Sequence, residues 1–235
     1  MKNEADKSRM RTTGNSTERR RNASKNSEIE TYLRAHYAFR YNTVLGRTEY
    51  RSNKDTGGRF TKVGRYEINS LRRELDFDVG IVTSSDNLYS IIESSFSPRI
   101  NPIQEYFKTL PEVDASEVLN KIETDQSIIS NLASCVTVRN SEKWLPYLTK
   151  WLVAVVANAM DDRECRNHTC LVLTGEQGKF KTTFLDLLCP SALHGYSYTG
   201  KIYPQEKDTL TYIGQNLIVN IDNVQCFVIR FPITQ

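Results

Sequence analysis

Toward the C-terminal end of the chain, Gly175-Glu176-Gln177-Gly178-Lys179-Phe180-Lys181-Thr182-Thr183 combines glycines, lysines and hydroxyls at a spacing suited to phosphate chemistry. A loop that turns successive backbone N–H groups around phosphate oxygens needs small residues free to take left-handed conformations. A helix starting at its end adds the positive pole of its dipole. Gly175 and Gly178 meet the first demand, Lys181 has the reach for β- and γ-phosphates, and the Thr182 hydroxyl suits Mg²⁺ coordination. Phe180 stands where such loops usually carry the glycine before the lysine, so the pattern is incomplete. The competing reading is an ordinary strand-to-helix turn with a surface lysine.

A second group belongs with the first. Leu217-Ile218-Val219-Asn220-Ile221 is apolar and β-branched, and ends on Asp222. A carboxylate at the tip of a strand beside a phosphate loop can hold the Mg²⁺ shell. Asn223 follows it and cannot accept a proton, and an Asp-Asn pair also suits a plain turn. Cys165, His168 and Cys170 lie within six residues of one another. Zinc ordinarily takes four ligands with paired spacing, so they read better as loop residues.

These groups need elements to hold them. Thr169 to Thr174 reads as a strand, the glycine loop follows, and residues 182–188 read as a helix. A second strand at 217–221 completes the pattern of a parallel α/β sheet. Upstream, a helix is expected over residues 141–160, with Trp144, Leu148, Trp151, Leu152, Val155 and Val156 on its apolar side. Residues 114–133 carry an imperfect helical stripe. Ser27 to His36 reads as a short helix, Tyr41 to Arg51 as a β-hairpin turning at Gly46-Arg47, residues 68–75 as a helix, and Ser84-Ser85-Asp86 as the start of another. Pro98, Pro102 and Pro111 punctuate the middle of the chain and mark a domain boundary there.

Composition bounds the class. With 235 residues, 39% hydrophobic and 25% charged, the chain can bury a core and is neither a disordered polymer nor a membrane protein. The net charge of +3 is unevenly placed: residues 1–73 carry +10 and residues 74–235 carry −7. Residues 1–27 hold no Val, Leu, Phe, Tyr or Trp and read as a disordered basic arm. From Tyr32 to Arg73, aromatics (Tyr32, Tyr37, Phe39, Tyr41, Tyr50, Phe60, Tyr66) interleave with Arg34, Arg40, Arg47, Arg51, Arg59, Lys62 and Arg65. One reading is a face that stacks bases and neutralises phosphates of single-stranded DNA; the other is core aromatics beneath a solvated basic face. Five cysteines, an odd number, and no apolar leader point to a reducing cytoplasm with no membrane association.

The run Leu171 to Phe184, followed by Asn216 to Asp222, resembles the virulence-associated protein E (VirE) family of P-loop ATPases. Asn101 to Phe107 and Trp144 to Ala157 extend the resemblance, which covers roughly residues 28–223. It implies an α/β fold in which an incomplete P-loop NTPase sheet follows a mixed α+β, largely helical N-terminal region. The expected parts are a basic arm (1–27), a mixed region with the hairpin (28–110), a helical segment (111–165), a partial P-loop domain (166–223) and a tail outside the family pattern (224–235). The resemblance also implies kinship with superfamily 3 helicases and tolerance of Phe180. ATP and Mg²⁺ would be held by residues 175–183, with Lys181 and Asp222 catalytic and Thr182 and Asp222 on the metal. It further implies work on DNA in bacterial mobile-element or phage replication, primase or other replication partners, and a homo-oligomer for the full-length relatives. Thirteen residues follow Asp222, where the family continues with further strands, so a truncated or frame-shifted product with doubtful hydrolysis is expected. A non-catalytic single-stranded DNA-binding module and an inactive remnant are the alternatives.

Overall fold

The computed structural model describes residues 22–55, 57–112, 128–161, 169–203 and 205–221 of a mixed α/β chain with small sheets. The chain divides into two compact units, one ending at Asn101 and the other beginning at Pro102.

In the first unit, helix α1 (residues 22–36) leads into strands β1 (Tyr37–Asn42) and β2 (Arg47–Ser52). Then come β3 (Thr61–Lys62), α2 (Arg65–Val79), α3 (Ser85–Ile92) and β4 (Arg99–Ile100). The sheet order is β3-β2-β1-β4, with β1 antiparallel to β2 and parallel to β4. Strand alternation turns Phe39 toward the core, where it meets Ile29 and Leu33 of α1, Ile68, Leu71 and Leu75 of α2, and Leu88, Ile91 and Ile92 of α3. Three helices thus bury their apolar stripes together with one sheet.

Local chemistry sets these boundaries. The hairpin turns through residues 43–46 rather than at Gly46-Arg47, because Asn42 Oδ1 accepts from the Val44 and Leu45 N–H groups at 3.1 and 3.0 Å. The Ser84 hydroxyl accepts the Asn87 N–H at 3.1 Å and caps α3. Residues 22–27, expected at the end of the disordered arm, are helical. Lys25 donates to the Val82 carbonyl and Asn87 to Asn26 Oδ1, so contacts with the α3 entry hold what composition alone would leave loose. The rest of the arm, residues 1–21, lies outside the described residues.

Two tyrosines of the first unit donate to carboxylates of α2: Tyr32 to Asp78 at 2.7 Å and Tyr37 to Glu74. Burial, reinforced by Asp78, pushes the Tyr32 hydroxyl up to about 12, and burial with Glu74 pushes Tyr37 up as well. Both stay protonated donors near neutral pH.

In the second unit, α4 (Pro102–Thr109), α5 (Ile128–Ser134) and α6 (Ser141–Met160) precede the glycine loop. After it come α7 (Lys181–Leu187), a 3-10 turn (Ser191–Tyr196), β5 (Ser197–Gly200), α8 (Asp208–Gln215) and β6 (Ile218–Ile221). Helix α6 has the span expected of it. Trp144 and Leu148 are its buried residues, packed with Ala133 and flanked by Leu152, Leu171, Leu173 and Phe184. Of the stripe expected over residues 114–133, only 128–133 lies within the described residues.

The sheet departs from expectation. Among the described residues, 169–174 pair with no strand; β6 instead lies parallel to β5, with Ser197 opposite Ile218 and Gly200 opposite Ile221. Leu171 and Leu173 do alternate toward the helical core while Val172 points to solvent. Tyr198 stacks on Tyr212 at 4.6 Å, fixing α8 against the parallel pair. Among the described residues, no helix is long and apolar enough to cross a membrane.

Candidate functional site

The loop before α7 takes the backbone conformations that its glycines permit. Gly175 has φ 152°, Gly178 φ 80° and Phe180 φ 55°. A Cβ added at Gly175 or Gly178 meets nothing within 4 Å, so dihedral preference rather than crowding reserves these two positions for glycine. Phe180 is the sole described non-glycine residue at positive φ, and its side chain is 78% exposed, so no packing compensates the strain. Phe180→Gly is therefore expected to leave stability unchanged or raise it by up to about 1 kcal/mol, while Gly178→Ala lowers it by roughly 1 kcal/mol. Thermal melts of the two variants check the pair.

Lys181 opens α7 and folds back across the loop. Its Nζ donates to the carbonyls of Gly175 at 3.0 Å and Glu176 at 2.6 Å. Two neutral acceptors thus hold the ammonium over the loop, and an anionic oxygen would bind it more strongly. Lys179 lies 3.7 Å from Glu176, with both side chains exposed, a pair of little energetic weight. Gln177 and Thr183 are exposed, and Thr182 is half-buried in the first turn of α7. Asp222 and Asn223 lie outside the described residues, so only part of the expected constellation is placed.

Three residues that the sequence reading passed over tie this turn to the sheet. Asn220 of β6 donates from Nδ2 to Asp186 Oδ1 at 2.7 Å and to the Thr182 carbonyl at 3.3 Å. Thr199 of β5 donates to the same Asp186 oxygen at 2.6 Å. The signal in sequence was Asn220 itself: an amide inside an apolar strand needs partners if it is buried.

The other candidate groups divide. Tyr32 and Phe39 are buried, and Tyr37 and Tyr50 pack against the same core. Arg40 and Arg51 lie over the Phe60 ring at 3.9 and 4.9 Å. Arg40 and Arg47 pair with Glu49. Arg59, Lys62, Arg65 and Tyr66 remain exposed. Cys170 is exposed, whereas Cys165 and His168 lie outside the described residues.

The second unit is thus an α/β unit in which a glycine loop, a lysine-headed helix and a parallel strand pair converge. Residues 119–230 match the family model described as the virulence-associated protein E-like domain. The match begins later than the resemblance over 28–223 and runs past it. It supports the VirE family for this half of the chain. No curated protein and no solved structure matches the chain.

Proposed function

We propose that the second unit binds ATP-Mg²⁺ through the glycine loop, as part of a VirE-type, helicase-like P-loop ATPase. The observation that supports this most is the Lys181 ammonium lying across a loop whose two glycines sit at positive φ, within 3.0 Å of the Gly175 and Glu176 carbonyls. The donor set suits a triphosphate. Residues 175–183 would surround it, Lys181 would exchange two carbonyl partners for phosphate oxygens, and the Thr182 hydroxyl, with Asp222, would hold the metal. Bound Mg²⁺ would supply neutralisation of phosphate charge. The chain's own glycines give the loop its positive-φ backbone, and one helix carries Lys181 and Thr182 in its first turn.

The family resemblance directs this ATPase to DNA in the replication of a mobile element or phage, alongside a primase or other replication proteins. With Tyr32, Tyr37, Phe39 and Tyr50 committed to packing, contact with single-stranded DNA within 32–73 would fall to Arg59, Lys62, Arg65 and Tyr66.

Lys181→Ala tests the reading. It removes a charge-assisted donor and is expected to weaken ATP binding about tenfold or more, with little change in melting temperature. Equal affinity in titration calorimetry of variant and parent would overturn it.

A further inference from the structure

We infer that Asn220 is a positioning residue for the metal-side edge of the nucleotide site, acting through the backbone of Thr182. The inference rests on the ATP-Mg²⁺ reading and adds a residue to it. A primary amide carries two N–H donors on one nitrogen. In Asn220 that nitrogen reaches both a carboxylate on α7 and a main-chain carbonyl in the first turn of the same helix. Asn220 is 6% exposed, so it loses water on folding and both contacts replace that hydration. Asp186 in turn accepts from Thr199 on the neighbouring strand, so one carboxylate oxygen joins both strands of the parallel pair to the helix.

The two contacts of Asn220 do different things. The bond to Asp186 ties α7 to β6 and duplicates what Thr199 does from β5. The bond to the Thr182 carbonyl has no counterpart from Thr199, and it falls on the residue whose hydroxyl is assigned to the metal. A helix held only through Asp186 keeps its place on the sheet. A helix held also at Thr182 keeps its first turn fixed, and with it the direction in which that hydroxyl leaves the backbone. Preorganisation of this kind affects a ligand that uses Thr182, namely Mg²⁺, more than one that uses the Lys181 ammonium alone.

The test separates these roles by measuring ATP affinity with and without Mg²⁺, melting temperature, and hydrogen exchange of the peptide spanning residues 175–187. In Asn220→Leu, the gain in ATP affinity on adding Mg²⁺ is expected to shrink by about three- to tenfold, the worth of one hydrogen bond, while Mg²⁺-free binding persists. Thr199→Ala removes a bond to Asp186 without touching Thr182. It should lower the melting temperature and leave the Mg²⁺ gain intact. The double exchange Asp186→Asn with Asn220→Asp reverses donor and acceptor. It restores the helix–strand bond at unchanged net charge but takes the Asn220 donor away from the Thr182 carbonyl, which keeps only its bond within the helix. Melting should recover while the Mg²⁺ gain stays small and exchange at 181–183 stays fast. This exchange carries the test even where Asn220→Leu fails to fold. Recovery of the Mg²⁺ gain together with melting would overturn the inference, leaving Asn220 a structural tie. If ATP binds the parent no better than it binds Lys181→Ala, the nucleotide reading itself fails, and the positioning role falls with it.

Discussion

Glu49→Ala is expected to destabilise the first unit by about 3 kcal/mol, a large part of the roughly 5–15 kcal/mol that holds a domain folded. The Glu49 side chain is 2% exposed. Its Oε2 accepts from Arg40 Nη2 at 2.8 Å, Arg40 Nε at 3.1 Å and Asn42 Nδ2 at 3.1 Å, and its Oε1 accepts from Arg47 Nε at 2.9 Å. Removing the carboxylate leaves Arg40, itself largely buried beneath Phe60, without its counter-charge, and that uncompensated charge dominates the cost. Arg47 is exposed enough for water to replace its partner, which keeps the effect at the lower end of the range for broken buried pairs. Burial by itself would push the Glu49 carboxyl up. The hydrogen bonds from Arg40, Asn42 and Arg47 outweigh it and hold the group below the usual glutamate range. A carboxylate with a lowered folded-state pKa contributes stability above its unfolded value of about 4.3 and loses it as pH falls through the folded value. Glu49→Gln should therefore be less stable than the parent in urea near neutral pH, and the gap should narrow on acidification. A gap that stays constant with pH would show that the charge contributes nothing.

What the sequence disclosed follows from how far each determinant lies from its partner. Helix α6 and the Ser84 cap rest on side-chain patterns a few residues long, and both were legible. The hairpin was legible too, but its turn was not, because the Asn42 side chain outcompeted the glycine signal at Gly46. The partner of β6 was not legible. Residues 169–174 have the better strand composition, yet the ladder forms with the short, polar β5, a choice made by packing across the whole unit. Glu49 sits between Arg47 and Arg51 in sequence and looks like part of a solvated face. Its burial depends on Arg40 across the hairpin, whose guanidinium in turn lies over the Phe60 ring. In the candidate site, the glycines and Lys181 announced themselves by type and spacing. Asp186 and Asn220 are separated by 34 residues, and only the fold shows that they meet.

Trp144→Ala should have the largest effect on the second unit, about 3–5 kcal/mol, and should reach the candidate site as well. Trp144 is buried at the centre of the packing between α5 and α6, and its indole N–H donates to the Ala133 carbonyl at 2.9 Å. Truncation removes a large apolar surface, leaves a cavity and takes the indole donor from that carbonyl, which keeps only the Val136 N–H at 3.2 Å. Trp144→Phe separates these terms: it keeps most of the volume and loses the hydrogen bond, for an expected cost of about 1 kcal/mol. The indole also lies 6.3 Å, centroid to centroid, from the ring of Phe184. Phe184 stands one turn along α7 from Lys181, and its N–H bonds to the Phe180 carbonyl, closing the first turn of that helix. Trp144 thus backs the helix that carries Lys181 and Thr182, at a distance from any ligand. In Trp144→Ala, hydrogen exchange across residues 181–187 should quicken even under conditions where the unit remains folded, and ATP affinity should fall with it. In Trp144→Phe, exchange there should stay near the parent's rate, because the ring that supports Phe184 is retained. Slow exchange at 181–187 in the alanine variant would mean that the strand pair, through Asp186 and Asn220, holds α7 without help from the helical core.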